Sequence, residues 1–246
     1  MPRGARRVLP TLDEEVRLTH DGHGPIAGVD EVGRGAWAGP LVAAAVVLPP
    51  VFSPPLAGEL LLRLAGVRDS KTCTPDERAT LAATIRDVAS GIGVGIVPPD
   101  ELDRYGLTVG NRLAMRRAIE ALPWMPGYLL LDWVKLPELR IPQRAFARGD
   151  ATSLSIAAAS IVAKVERDAM MAALDAAHPG YDFARHKGYG TAMHRAALRL
   201  HGPSPVHRYR FAPVHAAAVA ARTYPLETAP AIAIEPSAGI TGIAAR

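Results

Sequence analysis

Two rhythms of apolar and polar residues run through this chain, and together they predict most of its secondary structure. Ile26, Ala27 and Val29 mark a short strand over 26–30 that ends on two acids, Asp30 and Glu31. Residues 41–48 form an unbroken apolar run stopped by Pro49-Pro50, which predicts a buried strand. The glycine-rich stretch between the two suggests a hairpin, and the proline-rich 49–55 segment a loop. Thr74-Pro75-Asp76-Glu77 opens a helix with a hydroxyl cap, a proline at the first position and acids in the first turn. Leu81, Ile85 and Val88 continue its apolar stripe. Gly alternates with Ile and Val from Gly91 to Val97, predicting a strand that something approaches closely. A helix follows over 108–122, then a wholly apolar strand over 128–131 of the kind covered on both faces. Residues 153–176 read as a long helix dense in Ala and Ser, and 191–200 as a further helix. Residues 1–24 read as a polar arm or as a first helix around Leu12 to Leu18. Hairpin strands followed by alternating helices and strands predict an α/β fold, with a mixed central sheet flanked by helices and a helical C-terminal portion.

Composition sets the outer bounds. The 246 residues are 49% hydrophobic and 21% charged, enough for one large domain with a full core. The expected organisation is an N-terminal arm over 1–24, a catalytic domain over 25–214, and an Ala/Pro-rich flexible tail over 215–246. No apolar run reaches the roughly 18–20 residues that span a bilayer. Arg3, Arg6 and Arg7 precede no apolar stretch, so a cytoplasmic monomer without membrane contact is expected. Cys73 is the only cysteine, which excludes an intramolecular disulfide and a cysteine metal cage. Net charge is only +4, but residues 185–210 hold six cations (Arg185, Lys187, Arg195, Arg199, Arg208, Arg210) and no acid. Such a segment serves equally as a phosphate track or as a solvated basic face.

The acids carry the candidate chemistry. Asp30 and Glu31 sit side by side at a strand end, and Asp132 repeats that setting after Leu129-Leu130-Leu131. In open α/β sheets, ligands collect at the ends of adjacent strands. Asp150 stands just before the small-residue helix, where its bland role would be to cap free N–H groups. Four carboxylates without a thiol or imidazole cage select hard cations, Mg²⁺ or Mn²⁺, over zinc. Two such ions about 3.5–4 Å apart are the usual apparatus for in-line attack on a phosphodiester. Residue chemistry leads to metal-assisted phosphoryl transfer and stops there.

The motifs go further. Gly28-Val29-Asp30-Glu31-Val32-Gly33-Arg34-Gly35 with Ala38-Gly39-Pro40 resembles the signature of bacterial ribonuclease HII. So do Asp69-Ser70-Lys71, the Gly149-Asp150 pair leading into Ile156-Ala157-Ala158-Ala159-Ser160-Ile161-Val162-Ala163-Lys164, and Arg167-Asp168. His186-Lys187-Gly188-Tyr189-Gly190-Thr191 and Gly202-Pro203-Ser204-Pro205-Val206-His207-Arg208 complete the likeness over about residues 26–214. The resemblance implies a ribonuclease H-like fold and an endonuclease that cuts the RNA strand of RNA–DNA hybrids. It also implies nicking of duplex DNA beside embedded ribonucleotides, leaving 5′-phosphate and 3′-hydroxyl ends. By the same likeness Asp30, Glu31, Asp132 and Asp150 hold the metal, while Gly33, Arg34 and Gly35 sense the ribose 2′-hydroxyl. Tyr189 then packs on the sugar at the junction. Backbone groups at glycines reach a 2′-hydroxyl where a side chain would clash.

Lys71 and Lys164 are candidate phosphate contacts, or respectively a surface lysine and a helix-face charge. Asp168 reads as structural, paired with Arg167 or a nearby backbone group. Two positions depart from the family pattern: Trp133 stands where glycine is usual after the third carboxylate, and Ala36 where proline is common. Trp133 would narrow the site or pack beneath it. The competing reading is a binding module that has kept the fold but lost turnover. Four mutually repelling acids beside a polyanion argue against it.

Overall fold

The computed structural model describes residues 9–221. Five strands form one sheet: β1 (Ile26–Val32), β2 (Leu41–Val47), β3 (Gly91–Val97), β4 (Tyr128–Asp132) and β5 (Gln143–Phe146). Their spatial order is β3-β2-β1-β4-β5. The first three strands in sequence make antiparallel pairs, β1 with β2 and β2 with β3. β4 runs parallel to β1, and β5 parallel to β4. The sheet is therefore mixed, as the sequence predicts.

Nine helices surround it among the described residues: α1 (Asp13–His20), α2 (Pro54–Arg63), α3 (Pro75–Val88), α4 (Pro99–Tyr105), α5 (Leu107–Glu120), α6 (Leu154–Ala177), α7 (Phe183–His186), α8 (Ala192–His201) and α9 (Ala212–Ala220). Alternation along the strands feeds two cores, one on each face of the sheet. Ala44 and Val46 face a core with Ala157, Ala158 and Ile161 of α6 and Ile85 of α3. Ala43, Ala45 and Val29 face the other, with Leu113, Ala114 and Ile119 of α5.

The small residues of α6 have a structural purpose. A Cβ at Gly28 in β1 would run into the backbone of Ser155 and Ile156, so the first turn of α6 lies directly on that strand. Glu15 of α1 fixes this end of the helix. Its buried Oε1 accepts from the backbone N–H and hydroxyl of Ser155 and from the Ser153 hydroxyl, at 2.6–3.0 Å. The segment expected to be a polar arm thus contributes a buried acid to the main domain.

Several elements differ from the sequence reading, α7 and α9 among them. The 49–55 loop gives way to α2 at Pro54, α4 adds a short proline-led helix, and β5 adds a strand outside β4. The expected boundary between domain and tail at 214/215 falls inside α9. The remainder of the proposed tail, 222–246, and residues 1–8 of the arm lie outside the described residues. Among the described residues, no helix is long and apolar enough to cross a membrane.

Candidate active site

Asp30 and Asp132 are brought together by strand register. Val29 pairs with Leu131 across the parallel β1–β4 seam, so Asp30 of β1 and Asp132, the last residue of β4, lie side by side at the end of that seam. Alternation then separates the adjacent acids. Asp30 shares the face of Gly28, toward α6, where the Ser160 hydroxyl helps hold its charge. Glu31 takes the opposite face, toward α5 and Asn111. Asp150 comes from a 3₁₀ turn, Gly149–Ala151, immediately ahead of α6. The same turn meets β4 directly, because the Gly149 N–H donates to Asp132 Oδ1 at 2.6 Å.

The electrostatics show that these acids share one field. Burial above all, then the charges of Glu31 and Asp132, push the Asp30 carboxyl well above the ordinary carboxylate range. Burial and Asp132 raise Glu31, against the pull of Arg34 and Asn111. Burial raises Asp132, opposed by the Gly149 N–H and Lys71. Asp150 is raised by burial, then by Asp69 and Asp132. Lys71 answers all of them. Partial burial works to lower it, yet Asp69, Asp30, Asp150 and Asp132 together hold it above its usual value. Its exposed ammonium lies in the field of the cluster's aspartates, while Arg34 faces Glu31.

The donor set suits a hard divalent ion, since every candidate ligand is a carboxylate oxygen. Glu31 Oε2 is buried and has no hydrogen-bond partner, as expected of an oxygen reserved for a cation. Among the described residues, no three such side chains already close into a coordination group. The chain supplies the field and the ligand types, and the carboxyl groups must still converge on the ion.

Sequence reasoning missed Asn111 and Asp69. Asn111 is 1% exposed on α5 with neither side-chain atom hydrogen-bonded, beside the partly buried Glu31. Its signal was a polar residue in the apolar stripe of a helix. Asp69 accepts from the Lys71 N–H at 2.9 Å and adds a fifth acid to the cluster.

The predicted ribose-reading residues lie on an adjoining surface. Arg34 and Gly35 are exposed, whereas Gly33 is buried with φ +91°. A Cβ at Gly33 would collide with the Arg167 guanidinium, so glycine is required there twice over. Tyr189 is 36% exposed, and its ring lies 5.5 Å from the Arg167 guanidinium carbon.

The backbone of Tyr189 is anchored by three buried histidines. Its carbonyl accepts from His194 Nδ1 at 3.0 Å, His207 Nε2 donates to His194 Nε2 at 3.0 Å, and the Ser204 N–H donates to His207 Nδ1 at 2.9 Å. These proton positions follow from the Ser204 N–H being a fixed donor and the Tyr189 carbonyl a fixed acceptor. His186 bonds the Tyr181 carbonyl and the Gly188 N–H in the same cluster. Burial keeps His194 neutral down to about 4 and His207 to about 3. Unfolded histidines bind protons below about 6.5 while these do not, so acidification through that window withdraws their contribution to stability. A His207→Gln protein should show a weaker acid loss than wild type, the difference reaching about 2 kcal/mol by about pH 4.5. Paired thermal melts isolate this effect from the raised carboxylates, which act with opposite sign.

Other sequence expectations need correction. Lys164 is not presented to phosphate: its ammonium bonds Asp168 at 2.6 Å, with both side chains mostly buried. Asp168 is structural as expected, but its partners are Lys164 and Arg78, not Arg167. The basic segment is not uniformly exposed: Arg208 and three of its histidines are buried, while Arg185, Arg195, Arg199 and Arg210 are exposed.

Trp133 does not pack beneath the site. It is 65% exposed and adopts φ +60°, a conformation that glycine enters without strain. Left-handed backbone costs an L-residue about 1–2 kcal/mol, partly offset by the larger unfolded-state entropy of glycine. Trp133→Gly is therefore expected to stabilise the protein by up to about 1 kcal/mol, measurable by denaturant unfolding.

Comparison with known proteins agrees with this geometry. The chain matches the Ribonuclease HII family over residues 27–214. It is 52% identical over 208 residues to a ribonuclease HII of Chloroflexus aurantiacus, covering 84% of this chain and 95% of that one. It is 49% identical over 206 residues to a ribonuclease HII of Herpetosiphon aurantiacus, covering 83% and 97%. The solved ribonuclease H2 of Pyrococcus horikoshii shares the fold at a TM-score of 0.65 with 25% identity, covering 81% of this chain and 99% of that structure. The fold is thus ribonuclease H-like, and the chain belongs to the ribonuclease HII family, hydrolases of the type II ribonuclease H class that cut the RNA strand of RNA–DNA hybrids.

Proposed function

We propose that this chain is a Mg²⁺- or Mn²⁺-dependent endoribonuclease that cuts hybrids and also nicks duplex DNA on the 5′ side of a single embedded ribonucleotide, leaving 5′-phosphate and 3′-hydroxyl ends. One observation carries the reading: Asp30 and Asp132 lie side by side at the end of adjacent parallel strands, each raised by burial and neighbouring charge, with Asp150 and Lys71 in the same field. Mutually repelling buried acids are costly to ionise together, and a bound divalent cation relieves that cost while keeping them ionised.

Asp30, Glu31, Asp132 and Asp150 are the residues that would hold the ions. A pair of divalent ions there would supply a water-derived nucleophile and stabilise charge on the leaving oxygen. The chain's own groups do the rest. The Gly149 N–H fixes one oxygen of Asp132, which restricts how that carboxylate turns. Lys71 places a positive charge where a non-bridging phosphate oxygen approaches. Gly33, Arg34 and Gly35 offer backbone at close range to the 2′-hydroxyl, and the Tyr189 ring provides a flat surface for the neighbouring sugar. The protein is proposed to act as a cytoplasmic monomer in the removal of misincorporated ribonucleotides.

Two substrates test this directly. One is a DNA duplex with a single ribonucleotide, the other the same sequence with a long RNA stretch. Metal-dependent cleavage of both, with the single-ribonucleotide duplex cut at one position, is the expected result. Equal binding with and without chelator, and no product, would favour the non-catalytic module.

A further inference from the structure

Arg167 and Arg208 are the two largest fully buried side chains, exposed by 0% and 1%. Burying a charge without a counter-charge is costly, and the acid next in sequence, Asp168, is taken by Lys164 and Arg78. Both guanidinium groups bond to backbone carbonyls instead, with Arg208 Nη2 left buried and unpartnered. Arg167 donates from Nε to Pro40 O at 2.9 Å, from Nη1 to Lys187 O at 2.9 Å and from Nη2 to Ala38 O at 3.2 Å. Arg208 donates from Nε to Gly39 O at 2.9 Å and from Nη1 to Gly33 O at 2.7 Å and Arg34 O at 3.2 Å.

The two forks therefore take the consecutive carbonyls of residues 38, 39 and 40, and each extends to one side. Arg208 reaches the loop of Gly33 and Arg34. Arg167 reaches the turn that carries Tyr189, passes beneath the Tyr189 ring and fills the space against Gly33. Backbone bonds reinforce the same junction: Trp37 N to Gly188 O and Arg208 N to Trp37 O, both 2.8 Å. Charge-assisted bonds to carbonyls hold a loop more rigidly than neutral ones, and a planar fork fixes two directions at once.

We infer that Arg167 and Arg208 are positioning residues that set the spacing between the 33–35 loop and Tyr189, and thereby the preference for ribose over deoxyribose at the cleaved position. This rests on the reading of that loop and Tyr189 as the elements that meet the sugar. Neither arginine touches substrate. Lysine keeps the charge but not the fork, so Arg167→Lys and Arg208→Lys loosen the spacing without removing a cation.

The test compares affinity for two duplexes that differ only in one ribonucleotide or deoxyribonucleotide, measured with Ca²⁺ in place of the catalytic ion. Mn²⁺ affinity by calorimetry and thermal melting are measured alongside. Wild type should prefer the ribonucleotide duplex. If it does not, the ribose-reading assignment fails, independently of the arginines. Given that preference, each lysine variant should lose about tenfold of it while keeping wild-type Mn²⁺ affinity, the expected consequence of misplacing one polar contact. Undiminished preference in a folded lysine variant overturns the inference. An equal drop in affinity for both duplexes also overturns it, since that marks the pair as scaffold only. Should Arg208→Lys prove unfolded, Arg167→Lys decides, because it leaves the bonds to Gly33 and Arg34 in place.

Discussion

Asp30→Asn should abolish cleavage and at the same time stabilise the metal-free protein. The change keeps the shape of the side chain but removes a carboxyl group that can ionise to bind a cation. A metal-held charge contributes several kcal/mol to the transition state, so the turnover rate should fall about 10³-fold or more. The stability effect has the opposite sign. Asp30 is held well above its ordinary range by burial and by Glu31 and Asp132. In the metal-free protein the folded state then retains a proton that the unfolded chain has released, so stability falls as pH rises. Asparagine removes that loss, and a gain of about 1 kcal/mol, or roughly 2–4 °C in melting temperature at neutral pH, is expected. Steady-state cleavage and differential scanning calorimetry read the two effects separately. A variant that cleaves normally would remove Asp30 from the chemistry. One that loses both activity and stability would make it a structural residue.

Gly33→Ala should damage both the fold and ribose recognition. At φ +91° a Cβ is strained, and it would be driven into the Arg167 guanidinium. Arg167 cannot step aside freely, because three carbonyl bonds hold it. Backbone strain of about 1–2 kcal/mol and one weakened charge-assisted bond of about 1.5–3 kcal/mol predict a loss of about 3–4 kcal/mol in unfolding free energy. Chemical denaturation measures that loss. Cleavage should become less selective for a single ribonucleotide even where the protein remains folded, because the loop backbone itself has moved. Wild-type selectivity in a destabilised Gly33→Ala protein would separate the loop from ribose reading.

Much of this was legible from the chain, and the physical reasons differ by element. β2 was legible because it is buried and apolar throughout, and β1, β3 and β4 because an apolar run fills most of each strand, with the site acids confined to the C-terminal ends of β1 and β4. α6 was readable from its small residues, and the contact of Gly28 with Ser155 shows why they are small. β5 was not. Its residues, Gln143 to Phe146, carry no apolar run, and as an edge strand it owes its place to pairing with β4. α2 buries only Leu60 and leaves Leu61 and Leu62 exposed, so its periodicity is blurred. α4 carried the helix-start signals of proline and first-turn acids but is only seven residues long.

At the site, Asp30, Glu31, Asp132 and Asp150 were readable as acids at element ends, and strand register explains why the first and third are neighbours. The buried arginines could not be found that way. A sequence assigns Arg to solvent, and nothing local marks a guanidinium whose partners are carbonyls more than 120 residues away, as Arg167 and Pro40 are. Lys164 was misplaced for the same reason, since its i+4 partner Asp168 looks equally like a solvated pair until burial is known.

The central claim is that four carboxylates distant in sequence converge on divalent ions where the RNA strand is cut. Anomalous diffraction from crystals of the Asp30→Asn protein and the wild type, both grown with Mn²⁺, tests it most directly. The account predicts Mn²⁺ in the wild type within about 2.0–2.6 Å of oxygens from Asp30, Glu31, Asp132 and Asp150, with weakened or lost occupancy in the variant. Mn²⁺ bound elsewhere, or unchanged in the variant, would contradict it.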